Sequence, residues 1–275
     1  METGQKIILS NNNISESIYE LSIQVNLNGL SFFVLNVMES KIEFLDSVNF
    51  DKKQTPQALL DQLTHSFNST ESLQKPFGSV TVIHDNELAT LVPKPLFDET
   101  NLVDYIKFNA KILKTDFVTY DPLTIEDLMV VYVPLVNINN FIFERFGSFV
   151  YKHSATILLN RVLTLEKNSK SLKMYLNIEK SHFEIIVVDN NKLKFYNRFE
   201  YKTKEDFIYY LLFTAEQLQL NPEEFSVILM GLQDENNPLF KIAYKYVRHV
   251  SLLSIDAMLY STNASSKHFT LLNSL

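Results

Sequence analysis

The sequence holds no cysteine, which excludes disulfide scaffolds, thiol nucleophiles, iron–sulfur clusters and the common cysteine-based zinc sites. Glycine is scarce too. The five glycines, Gly4, Gly29, Gly78, Gly147 and Gly231, are isolated from one another, so there is neither a Walker phosphate loop nor a dinucleotide fingerprint. No two of the six histidines are spaced i, i+2 or i, i+4, and metal-site spacing is absent with them. Apolar runs are short: the stretch around Tyr209–Phe213 is broken by Thr214, Glu216 and Gln217, well below the roughly 20 residues of a membrane helix. Positive charge is in deficit, with 25 Lys and Arg against 32 Asp and Glu and a net charge of −7. Neutralised phosphates supply most non-specific nucleic-acid affinity, so this balance argues against a nucleic-acid partner. Residues 1–168 carry 13 basic and 20 acidic side chains, residues 169–275 carry 12 of each, and the whole excess lies in the first part. The residues from Met1 to Ser10 do not read as a signal peptide; the cytoplasm is the expected compartment, with no membrane association.

Hydrophobic residues make up 46% of the chain and charged residues 21%, enough apolar material for one large core or two smaller ones. The main organising feature is an internal repeat. Leu21 to Leu27 alternates apolar and polar side chains, the period of a half-buried strand. Asn28-Gly29 makes a tight turn, Leu30 to Met38 is rich in Phe and Val, Glu39-Ser40 turns, and Lys41 to Phe50 alternates again. The pattern predicts a three-stranded antiparallel meander. Met174 to Glu179, His182 to Val188 and Lys192 to Tyr201 repeat it, with turns at Lys180-Ser181 and Asp189-Asn190-Asn191.

The repeat continues beyond the strands. Thr55-Pro56 opens a helix with Leu59, Leu60, Leu63 and Phe67 on one face, and Thr203 with Asp206 opens its counterpart through Phe207, Tyr210, Leu211, Thr214 and Leu218. A short strand follows each, at Ser79–Ile83 and Phe225–Met230, then another helix: Leu102, Tyr105, Ile106 and Leu113 in the first copy, Leu239 to Val247 after Asn237-Pro238 in the second. Further strands are expected at Asp127–Val133, Phe149–His153, His249–Ile255 and Phe269–Leu272, with helices near Asn140–Phe146 and from Ser154 through Glu166. Two such units fit two mixed sheets flanked by helices, an α/β fold, with halves at 1–168 and 169–275 joined by the polar segment Lys167 to Leu172.

This duplication resembles the actin-like ATPase, or ribonuclease-H-like, fold shared by sugar kinases, heat-shock chaperones and the bacterial cell-division and pilus-assembly ATPases. Val92-Pro93-x-x-Leu96-Phe97, Tyr105-x-x-Phe108-Asn109 and His153-Ser154-x-Thr156 are similar, more narrowly, to an uncharacterised Bacteroidetes family with that fold. The resemblance implies an Asp-x-Gly at the end of the first strand of each half, where carboxylates orient Mg²⁺ and glycines admit phosphate to backbone N–H groups. Here Gln24 and Asn26 stand at those places in the first half, and Asn177 and Glu179 in the second. Neutral amides do not supply the charge that holds a divalent ion, and Glu179 brings negative charge to where phosphate belongs. The nucleoside-side Gly-Gly pattern is reduced to Gly231 in Met230-Gly231-Leu232-Gln233.

Other candidate chemistry reads as structure. His84-Asp85 follows a strand as a turn pair, and Ser154 is a helix cap with no Gly-x-Ser-x-Gly around it. The pairs Asp98-Glu99, Glu126-Asp127, Glu223-Glu224 and Asp234-Glu235 fall at helix starts or turns, where carboxylates complement the helix dipole. Tyr196, Tyr201, Tyr209, Tyr210, Tyr244 and Tyr246 cluster in the second half, and amphipathic tyrosines suit a protein-docking face. The expectation is therefore a non-catalytic protein-binding or scaffold protein with no catalytic residues, metal or cofactor. The alternative is a nucleotide-binding, ATPase-like switch with an altered site between the halves, drawn from Gln24, Asn26, Asn28, Asn177, Glu179 and Gly231.

Overall fold

Alternation places Leu21, Ile23 and Val25 together on one face of an extended segment, and all three are fully buried. In a computed structural model, which describes residues 18–108, 110–113, 115–254 and 265–275, that segment is β1 (Tyr19–Asn26). With β2 (Gly29–Asn36) and β3 (Lys41–Asn49) it forms an antiparallel meander. Helix α1 (Pro56–Ser69) starts on Thr55, whose side chain accepts the Ala58 N–H at 3.2 Å, and buries Leu59, Leu63 and Phe67. β4 (Ser79–His84) then pairs parallel to β1, and β8 (Val150–His153) parallel to β4, giving the order β3-β2-β1-β4-β8.

Between β4 and β8 the chain builds a smaller sheet from β5 (Ala89–Pro93), β6 (Thr119–Pro122) and β7 (Leu128–Tyr132), ordered β5-β7-β6. Helix α2 (Leu102–Ile106) packs on it around Val92, Ile106, Val118 and Val131. The helix is shorter than its apolar spacing suggested, ending before Leu113, which is 64% exposed. Helix α3 (Val136–Phe146) ends at Gly147, whose φ of 75° suits glycine. Helix α4 (Ser154–Leu165) follows β8 directly.

The second sheet repeats the first. β9 (Lys173–Ile178), β10 (His182–Asp189) and β11 (Lys192–Glu200) form the meander; β12 (Ser226–Met230) and β13 (His249–Leu252) add parallel strands, in the order β11-β10-β9-β12-β13. The copies agree in detail. Both edge strands show the same alternation of burial along nine residues. Both meanders carry an irregularity near the end of the middle strand, at Val34/Leu35 and at Val187/Val188. Helix α5 (Lys204–Gln217) has a reciprocal capping box between Thr203 and Asp206, and α6 (Pro238–Tyr246) starts on Asn237.

Two sequence expectations change. Phe269–Leu272 is helix α7 rather than a strand; four apolar residues in a row carry no period that separates the two. The Gly29 requirement is also different in kind. Its φ is not in the left-handed region, but a Cβ there would lie 2.7 Å from the Val48 carbonyl oxygen, so close approach of β3 requires the glycine. The left-handed turn lies in the second copy, at Asn190 and Asn191, with φ of 49° and 58°. Ile255 and the segment Met1 to Ser10 lie outside the described residues.

The chain separates into two compact units: one runs to Ile157 and takes in Thr270–Leu275, the other is Leu158–Phe269. In the first, Ser274 Oγ donates to Ser22 Oγ on β1 at 2.7 Å. In the second, Phe183, Phe207, Phe225 and Leu229 centre the core under α5 and α6. Among the described residues no helix is long and apolar enough to cross a membrane.

Candidate functional site

The first unit gathers polar residues at the ends of its parallel strands. Asn26, last in β1, donates from Nδ2 to Asp85 Oδ2 at 2.8 Å and accepts the Asn28 N–H on Oδ1 at 2.8 Å. The Asp85 N–H continues the ladder to Val25 O, and its Oδ1 accepts the Ser154 hydroxyl at 3.1 Å. Asn26, Asn28 and Asp85 therefore meet, and with Ser154 they tie β1, β4 and α4 together. Gln24 lies further back on β1, between Ser31 and Ile83 in register, and does not join this group.

His84 and Asp85 are not surface turn residues. His84 is wholly buried at the end of β4 and Asp85 is nearly so. The His84 Nδ1 accepts the Leu135 N–H at 3.2 Å, and Nε2 lies 2.9 Å from Asn139 Oδ1. Those partners fit the neutral ring carrying its proton on Nε2. Burial, with a smaller contribution from His153, pushes its pKa down to about 4. The imidazole thus caps the start of α3, where Leu135 offers no side-chain cap of its own.

Helix α4 begins in a similar way. The Ala155 N–H is accepted by His153 Nδ1 at 3.1 Å while His153 Nε2 lies 3.2 Å from Asn86 O. The capping acceptor is therefore His153, and Ser154 instead donates to Asp85. A second buried carboxylate, Asp121 on β6, accepts the His153 N–H at 2.8 Å and the Thr156 hydroxyl at 2.9 Å. Burial first, then the Asp121 charge, holds the Tyr132 phenol in its protonated form, with its pKa pushed well up.

The second unit has its own polar stripe across the meander. Glu184 on β10 sits opposite Asn177 on β9 and Arg198 on β11 in the strand registers. Asn177 Nδ2 donates to Glu184 Oε2 at 3.0 Å, and Arg198 Nη1 and His182 Nε2 each lie 3.8 Å from Glu184 Oε1. Arg198 Nη2 also approaches His182 Nδ1 at 3.2 Å. Glu184 and His182 are buried. Glu179 and Gly231 flank Ile178: the Glu179 N–H bonds to His182 O, while a Cβ on Gly231, at φ 88°, would lie 2.1 Å from Ile178 O.

Sequence reasoning found the strand-end amides but missed Asp121, Glu184 and Arg198. Glu184 did leave a signal, as a charge inside the apolar run Phe183 to Val188, where a charged residue is retained only with partners. Asp121 left none, because His153 and Thr156, which donate to it, lie more than thirty positions away. In each unit the amides are bonded to the same unit's own carboxylates and backbone, an arrangement suited to holding strand ends in place.

A family model described as "Protein of unknown function (DUF3822)" matches residues 9–250. No curated protein matches the chain. Among solved structures, a Bacteroides thetaiotaomicron protein described as having an actin-like ATPase fold and unknown function is similar with a TM-score of 0.78 and 23% identity, over 92% of this chain and all of that one. The PilM–PilN type IV pilus biogenesis complex is similar with a TM-score of 0.59 and 11% identity, over 93% of this chain and 97% of that one. At such identities the likeness shows the fold, and the fold is the actin-like ATPase one that the repeat implied.

Proposed function

This chain belongs to the DUF3822 family, and we propose that it uses the actin-like ATPase fold as a protein-binding or scaffold protein that works in the cytoplasm without hydrolysing ATP. The reading treats 1–168 and 169–275 as the two duplicated halves. The observation that carries it is the state of the first-strand ends. Where an ATPase of this fold needs an outward carboxylate and a glycine, Asn26 is bonded to Asp85 and Asn28, and Asn177 to Glu184. Turning either amide toward a metal would leave a buried carboxylate without that donor, at a cost of about 1–3 kcal/mol.

Two features support a protein partner. PilM, a structural neighbour, is found in a complex with PilN, so this fold does carry protein contacts there. On α5 and α6 of the second unit, Tyr209 and Tyr244 are 59% and 63% exposed, and Tyr209 stacks on the exposed Phe213. Exposed aromatic groups of this kind are enriched at interfaces. Not every tyrosine in the sequence cluster contributes: Tyr201 and Tyr210 pack against the core.

A thermal melt with and without millimolar Mg-ATP tests the reading. A ligand at 100 times its dissociation constant stabilises by about 2.7 kcal/mol. No shift is expected; a rise of several degrees would instead support an altered nucleotide site using Gln24, Asn28, Asn177 or Gly231.

A further inference from the structure

Helices α5 and α6 pack side by side over the core of the second unit, and their outward sides form one surface with two opposed charges. At about 100° per residue, Glu205, Tyr209, Phe213 and Glu216 fall along one stripe of α5, and all four are exposed. Lys241, Tyr244 and Lys245 make the corresponding stripe of α6 and are exposed as well. Over the whole helices, α5 carries three carboxylates, Glu205, Asp206 and Glu216, against one lysine, Lys204; α6 carries two lysines and no acid. The two stripes do not neutralise each other. Glu205 lies 3.9 Å from its own neighbour Lys204, with both side chains more than half exposed, a contact largely screened by water. Glu216, Lys241 and Lys245 pair with no oppositely charged group among the described residues. Each stripe is built on stacked rings one helical turn apart: Tyr209 on Phe213 at 5.8 Å between centroids, and Tyr244 on the buried Phe240 at 6.1 Å.

We infer that this surface binds the same surface of a second copy of the chain, as a two-fold dimer with α5 of each copy on α6 of the other. The inference rests on the protein-binding reading above and names the partner. A two-fold contact has to be self-complementary, because the patch meets itself. The α5–α6 surface satisfies that condition: a two-fold axis running between the helices sets the acidic stripe of each copy on the basic stripe of the other, twice over. The other two-fold arrangement, with α5 on α5, opposes like charges and is repelled. The rings supply the apolar middle of the contact. Tyr209, Phe213 and Tyr244 are large, have few rotatable bonds and are already held by stacking, so little side-chain freedom is lost on docking. A nucleic acid or an anionic membrane is disfavoured, since the carboxylates of α5 would face phosphate. Two short helices per copy make a small contact, below the roughly 1,600 Å² of a standard interface, so the dimer should dissociate in the micromolar range and weaken with salt.

Sedimentation velocity on the full chain, from low micromolar to several hundred micromolar, tests the inference. The mass should rise with concentration from that of one chain toward that of two. Two charge-reversed variants, Glu205→Lys/Glu216→Lys and Lys241→Glu/Lys245→Glu, should each stay monomeric at concentrations where the parent is a dimer. An equimolar mixture of the two should dimerise again, because both contacts then join opposite charges. Tyr209→Ala, which alters no charge, should raise the dissociation constant about tenfold or more, since the change falls twice on the two-fold interface. The mass of one chain at every concentration, a dimer unmoved by either reversal, or a mixture that stays monomeric would each overturn the inference. Should a reversed variant fail to fold, Tyr209→Ala decides: an unchanged dissociation constant overturns it. Each of these failures leaves the protein-binding reading standing with a different partner; stabilisation by Mg-ATP would instead strike that reading, whatever the mass.

Discussion

Asn26 closes the end of the first sheet on Asp85: its amide nitrogen lies 2.8 Å from the Asp85 carboxylate, joining the last residue of β1 to the residue after β4. An aspartate at position 26 would replace that donor with a second negative charge at hydrogen-bond distance. Asn26→Asp should therefore lower stability by about 2 kcal/mol at pH 7. The loss should shrink near pH 4, where one carboxyl is protonated and donates to the other. Urea unfolding at the two pH values checks this, and equal destabilisation at both would contradict it.

His84 makes stability depend on pH with a defined sign. Its folded pKa is lowered to about 4, while in the unfolded chain it takes up a proton below about 6.5. The contribution is complete above pH 6.5 and is lost as the pH falls from there to about 4, amounting to about 3 kcal/mol. His84→Gln should flatten the stability profile over that interval. An NMR titration should show the His84 ring still neutral at pH 5.5; protonation there would refute the assignment.

The buried Glu184 should be intolerant of single truncation. Glu184→Ala leaves the Asn177 amide without its acceptor and removes the buried carboxylate that faces Arg198 and His182, and should cost about 3–5 kcal/mol. The paired change Glu184→Leu with Arg198→Met removes both charges and should recover most of that loss. If the double variant is no more stable than Glu184→Ala, the ion pair is not the source of the penalty.

Two glycines with positive φ should respond unequally to alanine. Gly231 faces the Ile178 carbonyl, whereas nothing lies within 4 Å of a Cβ built on Gly147. Gly147→Ala should cost about 1 kcal/mol from backbone strain alone. Gly231→Ala adds a clash with backbone and should cost more than about 3 kcal/mol. Melting temperatures of the two variants provide the comparison, and equal shifts would show that the β12 loop relaxes freely.

Neighbouring tyrosines on α5 should separate docking from packing. Tyr210 stacks on Phe199 at 4.7 Å between centroids, so Tyr210→Ala should destabilise the second unit by about 2–3 kcal/mol. Tyr209→Ala, on the exposed side, should stay within about 0.5 kcal/mol of the parent. A large loss of stability from Tyr209→Ala would remove it as a test of partner binding.

Much of the architecture was legible from short-range pattern. Period-two alternation located the outer strands of each meander and richness in Phe, Val and Ile the middle ones, and Thr55, Thr203 and Asn237 marked their helices because a cap acts on N–H groups two or three residues away. The pattern was less informative where segments are short. Phe269 to Leu272 took the helical form, and the helix expected to reach Leu113 ended at Ile106. The candidate site was legible only in part. Gly231 and the amides at positions 26 and 177 follow from their places at strand ends, but the carboxylates they serve do not.

By itself, then, the sequence determined the doubled α/β plan, the lack of cysteine chemistry and phosphate-loop glycines, and the acidic bias of its first part, because each is a property of composition or of neighbours along the chain. Tertiary structure decided that Asp85 would receive Asn26 and Ser154, that Asp121 would anchor the start of α4, and that His84 would be a buried neutral cap. Those groups come from positions up to 69 residues apart, and strand order and register alone bring them within hydrogen-bond reach.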